Sequence, residues 1–263
     1  MTTIDFTFLD KIFETLHSSN MENNFLSPEL LLPYIDFTEL NSILNAQDLK
    51  RFCELAEKTE VAAVCIYPES VAEAKSFLSH SSVKLATVAN FPDGVDNWET
   101  ISETIKKSIA NGADEIDVVI PYQHYLISKD ADYIMKFVQA CKKLLPNHSL
   151  KVILETGAFS DKKMIFDLAL ASLKGGADFL KTSTGKVSAG ASLEAAGLLL
   201  YAIKTFGVLH RGLKVSGGVR EYLEAKKYYL LTEMMMGKNW ITKNTFRIGS
   251  SNLVHDIQTM MVV

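Results

Sequence analysis

The sequence predicts a (β/α)8 barrel with an N-terminal helical extension. Eight short apolar runs recur along the chain with helical patterns between them, the dinucleotide fingerprint Gly-x-Gly-x-x-Gly of doubly wound sheets is absent, and 263 residues suit a single barrel of roughly 250. Residues 1–32 precede the first run and are expected to add a helix that caps the barrel bottom. Nothing rich in Pro, Gly or Ser divides the chain, so residues 1–263 read as one domain.

Each element follows in order. The first four expected strands are Pro33–Phe37, Val61–Tyr67 (closed by Pro68), Lys84–Asn90 and Asp114–Pro121. The other four are Lys151–Gly157, Asp178–Gly185, Gly212–Gly218 and Arg247–Asn252. Between them, Val71–Leu78, Trp98–Ala110 and Leu193–Phe206 carry helical periodicity. Side chains alternate along a strand, and the outer face of a barrel strand packs on helices. The apolar set Ile116, Val118 and Ile120 therefore faces out, which turns Glu115 and Asp117 inward. The same alternation turns Lys181, Lys214 and Asp36 inward. Asp117, Lys181 and Lys214 lie late in their strands, toward the C-terminal face, where such barrels carry catalysis.

Composition narrows the function. Hydrophobic content of 48% supports a large core, and a net charge of −4 argues against a general nucleic-acid binder. No apolar run reaches the roughly 20 residues of a membrane span, and the start MTTIDFTFLDKIFETL is not expected to be a signal peptide. Cys53, Cys65 and Cys141 are an odd number with no Cys-x-x-Cys pairing, as expected of reduced thiols in the cytoplasm. The scattered histidines show no ligand spacing, so neither a metal nor another cofactor is expected.

The segment Asp178–Val187, DFLKTSTGKV, says most about chemistry. Burial at the end of an apolar run disfavours the charged form of Lys181 and makes its amine nucleophilic. An unperturbed lysine is only about 0.04% neutral at pH 7. A second ammonium about 5 Å away costs about 3 kcal/mol at an effective dielectric near 20, roughly two pKa units. Lys214 is placed to supply that repulsion and Asp117 to move protons. A barrel-core ion pair of Lys214 with Asp117, without chemistry, is the alternative reading. Gly185-Lys186, Gly217-Gly218 and Gly249-Ser250-Ser251 follow the last three strands and together suit a phosphate. Gly185-Lys186 is no Walker A motif, because Leu180 and Val187 occupy the positions that motif requires to be Gly and Ser/Thr.

From about Tyr34 to Ser251 the chain resembles the deoxyribose-phosphate aldolase family, in the order IDFTELN, AAVCIYP, ATVANFP, GADEIDVVIPY, KVILETG, GADFLKTSTGKV, LKVSGGVR and RIGSS. The resemblance implies a class I aldolase needing no metal, which interconverts 2-deoxy-D-ribose 5-phosphate with acetaldehyde and D-glyceraldehyde 3-phosphate. It further implies Lys181 as the Schiff-base lysine, Lys214 as the lysine that tunes it and Asp117 as the proton relay. Gly185, Lys186, Gly217, Gly218, Gly249 and Ser251 fall on phosphate-binding positions, with Asp36, Thr184 and Cys65 as supporting candidates. Some relatives use a C-terminal tyrosine in proton transfer; the last tyrosine here is Tyr229, so another group or water is implied. Another class I aldolase acting on phosphosugars, a pyridoxal-phosphate barrel and a non-catalytic sugar-phosphate binder remain as alternatives, and a homodimer is left open. Glu155 reads as an interior partner of a lysine, and Met234–Met236 as packing.

Overall fold

The computed structural model describes residues 6–18 and 26–261. Helix α1 (Thr7–Ser18) comes first. Strand β1 (Ile35–Glu39), helix α2 (Ala46–Lys58), β2 (Ala63–Ile66), α3 (Val71–Phe77), β3 (Lys84–Ala89) and α4 (Trp98–Ala110) make the first half with β4 (Glu115–Val119). The chain continues through α5 (Tyr122–Ser128), α6 (Ala131–Lys143), β5 (Ser149–Ile153), α7 (Lys162–Lys174), β6 (Phe179–Lys181) and α8 (Leu193–Phe206). Strand β7 (Gly212–Ser216), α9 (Tyr222–Met236), β8 (Phe246–Ser250) and α10 (Leu253–Met261) complete it. The strands close in the order β1 to β8, with every pairing, including β8 to β1, parallel. This is the (β/α)8 barrel. All eight strands fall within a few residues of the expected runs, and α4 and α8 have the expected bounds.

Local chemistry sets those bounds. The side chain of Asn97 accepts from the Thr100 amide and that of Ser192 from the Ala195 amide, which caps α4 and α8 where the helical periodicity begins. Outward residues such as Ile116, Val118, Leu180, Leu213 and Val215 are buried between strand and helix. Inside, Phe179 lies in register with Gly212, and a Cβ on Gly212 would come within 2.3 Å of the Phe179 ring. Glycine is there to admit that ring.

The N-terminal helix is not a bottom cap. Helix α1 packs on α8 and α9, on the outer wall. A Cβ on Gly197 of α8 would stand 3.2 Å from Leu9 and 3.3 Å from Phe13, so a missing side chain makes the groove that receives α1. Phe6 and Phe8 continue the contact through the Tyr201 ring. The bottom is approached instead by the 3-10 turn Pro28–Tyr34, where Tyr34 packs on Phe246 and Tyr229. An amphipathic face predicts that α1 docks; it does not specify where. Met260 and Met261 on α10 are exposed, and Val262 and Val263 lie outside the described residues. Met235 is buried in the α9 packing, whereas Met234 is exposed. No described helix is long and apolar enough to cross a membrane.

Candidate active site

The barrel interior is crossed by one connected network of charges. Asp117 on β4 is fully buried; its Oδ2 accepts from Lys181 at 2.7 Å and from Lys214 at 2.8 Å, and its Oδ1 from Lys151 at 2.9 Å. Asp36 on β1 takes a second bond from Lys214, at 2.5 Å, and one from Arg247 at 2.5 Å. Glu115 joins Lys151 at 2.5 Å to Arg247 at 2.9 Å. Register explains the convergence: Asp117 lies level with Lys151, Lys181 with Lys214, and Lys214 with Arg247. The network holds four cations (Lys151, Lys181, Lys214, Arg247) and three carboxylates (Asp36, Glu115, Asp117). It balances when one cation gives up its proton.

Lys181 is the cation with the least carboxylate support. Lys151, Lys214 and Arg247 each contact at least two carboxylates, whereas Lys181 contacts only Asp117, which it shares with two other ammoniums. Burial lowers the pKa of Lys181; Asp117 opposes this and the Lys214 charge adds to it, leaving the amine below the ordinary lysine value. Burial works the same way on Lys214, but Asp117 and Asp36 overcome it and hold Lys214 charged. For Asp117 burial favours the neutral form, yet its three ammoniums prevail and keep it well below the usual carboxylate range. The remaining wall is apolar: Ala63 and Cys65 of β2, Ala86 and Val88 of β3, and Leu40 form a cluster of their own. Cys65 is fully buried there, with a thiol pKa raised by burial.

Above the network a cavity of about 480 Å³ opens at the C-terminal face. Of the network's cations only Lys181 lines it. Its rim holds Thr184, Gly185, Lys186, Gly217, Gly218, Gly249 and Ser251, all expected from the sequence. Gly185, Gly217 and Gly218 have φ of +77°, +92° and +94°, a region that disfavours residues with a Cβ. One nucleophile candidate thus sits at the floor of a cavity rimmed by glycine turns.

Residues 30–230 match the DeoC/LacD family of aldolases. A deoxyribose-phosphate aldolase from Agrobacterium fabrum is 37% identical over 236 residues, 88% of this chain and 90% of the relative. The chain belongs to the DeoC/LacD aldolase family. Solved structures agree on the fold. A structure described as the apo form of a putative deoxyribose-phosphate aldolase from Toxoplasma gondii superimposes with a TM-score of 0.81 at 25% identity, covering 89% of this chain and 94% of its own. A deoxyribose phosphate aldolase from Aeropyrum pernix, described as a tetramer, gives 0.76 at 25% identity, covering 92% and 96%.

Several side chains of this aldolase sit otherwise than their sequence suggests. Glu155 does not pair with a lysine; its carboxylate accepts from the hydroxyl and amide of Thr184. Gly249, besides lining the cavity, gives clearance: a Cβ there would stand 2.9 Å from Cε of Lys214. The Lys186 ammonium reaches across the mouth to the Leu40 carbonyl at 2.5 Å and to Asn41 Oδ1 at 3.2 Å. Sequence reasoning overlooked Lys151 and Arg247 as members of the network and Arg220 as a cation on the rim. Lys151 shares the inward parity of Ile153, which pairs with Lys181, and that parity was the available signal. Among the described residues no group of three His, Cys, Asp or Glu side chains is placed to hold a metal ion.

Proposed function

We propose that this aldolase cleaves 2-deoxy-D-ribose 5-phosphate reversibly to acetaldehyde and D-glyceraldehyde 3-phosphate through a Schiff base on Lys181. The observation that carries the reading is the single excess cation of a buried network, placed at the floor of a cavity whose rim suits a phosphate. The named relatives favour this substrate over other phosphosugars.

The neutral Lys181 amine attacks C1 of the open-chain aldehyde, and loss of water from the carbinolamine gives an iminium. Asp117, hydrogen-bonded to Lys181, carries protons to and from the departing oxygen, directly or through water. Removal of the C3 hydroxyl proton lets the C2–C3 bond break. Its electron pair moves into the iminium to form an enamine, and C3 leaves as the aldehyde of glyceraldehyde 3-phosphate. Protonation of the enamine carbon and addition of water release acetaldehyde and restore the amine. Lys214 remains charged throughout, bound to Asp36 and Asp117. The apolar wall of β2 and β3 flanks the buried network and keeps the local dielectric around it low. Three free cysteines, all buried, suit a protein that works in the reducing cytoplasm on sugar phosphates from deoxynucleoside breakdown.

Phosphate binding at Lys186 and the glycine turns positions C1 near Lys181 without taking part in bond cleavage. A hydrogen bond to a charged group contributes about 1.5–3 kcal/mol, roughly 10- to 150-fold in affinity. Native protein is expected to release acetaldehyde and glyceraldehyde 3-phosphate from deoxyribose 5-phosphate. Lys186→Ala is expected to lose about that factor in kcat/KM on this substrate and little on unphosphorylated deoxyribose. Equal losses on both substrates would remove Lys186 from the phosphate site; no cleavage by the native protein would reject the substrate.

A further inference from the structure

Glu155 follows β5 and is fully buried, yet it lines no part of the cavity. Its φ of +51° lies in the left-handed region, which a position chosen for its backbone alone would give to glycine. The side chain is committed to one neighbour. Oε2 accepts from the Thr184 hydroxyl at 2.5 Å, and the Thr184 amide lies 3.3 and 3.4 Å from the two carboxylate oxygens. The Thr184 hydroxyl in turn accepts from the Lys186 amide at 3.1 Å. On either side of Glu155 the backbone is tied to the same strand end, Leu154 N to Lys181 O and Thr156 N to Thr182 O, both at 2.9 Å. The turn carrying Gly185 and Lys186 is therefore gripped from below by one carboxylate.

We propose that Glu155 is a positioning residue for substrate phosphate, holding Thr184 and through it the Gly185-Lys186 turn in the conformation that receives the anion. The inference rests on the phosphate reading of the cavity given above. A strained backbone and a buried carboxylate with no cation in salt-bridge contact both carry a cost, and function is the expected compensation. The Lys186 amide is fixed through Thr184 while its ammonium is held by the β1–α2 loop, so the whole residue is set before substrate arrives. Burial raises the pKa of Glu155, and the two Thr184 bonds, followed by the charge of Lys181, oppose that rise.

The test uses the full chain as Glu155→Gln, which keeps the shape, and Glu155→Leu, which removes both acceptors. Inorganic phosphate is titrated calorimetrically, and kcat and KM are measured for deoxyribose 5-phosphate and for unphosphorylated deoxyribose. Phosphate affinity is expected to fall about 10- to 100-fold in the leucine variant and by less in the glutamine variant. KM for the phosphorylated substrate should rise in parallel, while turnover of deoxyribose stays near native. Native-like phosphate binding in both variants, or equal losses on both substrates, overturns the role of Glu155 alone. A native protein that binds no phosphate overturns this inference and the phosphate reading together. If the leucine variant fails to fold, the glutamine variant decides between these results.

Discussion

Lys214→Leu is expected to lower turnover at pH 7 by about 10- to 100-fold and to move the acid limb of the pH–rate profile upward. Lys181 and Lys214 bind the same oxygen of Asp117, so their nitrogens lie within the span of two hydrogen bonds. Removing the second ammonium lifts a repulsion equivalent to about one to two pKa units on Lys181. Lys181 is then protonated over a wider range, and each unit removes tenfold of the neutral nucleophile at neutral pH. The loss should shrink as pH rises toward the new pKa. The variant also leaves Asp36 with Arg247 and Lys151, and Asp117 with Lys181 and Lys151, so each carboxylate keeps a cation. Profiles of kcat/KM from pH 6 to about 10 make the measurement. A loss of the same size at every pH would show that Lys214 does not act on the pKa of Lys181.

Asp117→Asn should move the same limb in the opposite direction. Asp117 is the group that opposes the lowering of the Lys181 pKa, so its removal drops that pKa further. More of the amine is neutral, yet the proton carrier is gone, and kcat is expected to fall about 10²- to 10⁴-fold. Three cations also lose their shared anion, which is expected to cost about 3–5 kcal/mol of stability, readable as a lower urea midpoint. The pair of variants separates two roles that a single activity loss would merge. An upward shift in Asp117→Asn, or a rate within tenfold of native, would contradict the assignment.

Most of the barrel was legible because its signals are local. A strand buried on both faces is a continuous apolar run, as β2 (AVCI) shows, while β4 (EIDVV) and β7 (GLKVS) alternate apolar outward residues with polar or charged inward ones. Asn97 and Ser192 mark the starts of α4 and α8 with their own side chains. Parity then placed Asp36, Asp117, Lys181 and Lys214 on the inner face, and the structure brings all four into one network. The residues that escaped notice act through distant partners. Arg247 meets Asp36 across 211 positions of sequence, and nothing local to Arg247 announces the contact. Glu155 was misassigned because a buried acid near lysines suggests an ion pair, whereas Thr184, also distant in sequence, offers two donors. The docking of α1 depended on Gly197, whose missing side chain has meaning only once α8 is in place.

The central claim, that the excess charge of the network makes Lys181 the nucleophile, is tested most directly by trapping. Native protein is incubated with acetaldehyde, reduced with borohydride, digested and mapped by mass spectrometry. The account predicts an ethyl group on Lys181, with activity lost in proportion to the modification. An ethyl group on Lys186 or Lys214 instead, or full activity after complete modification of Lys181, would contradict it.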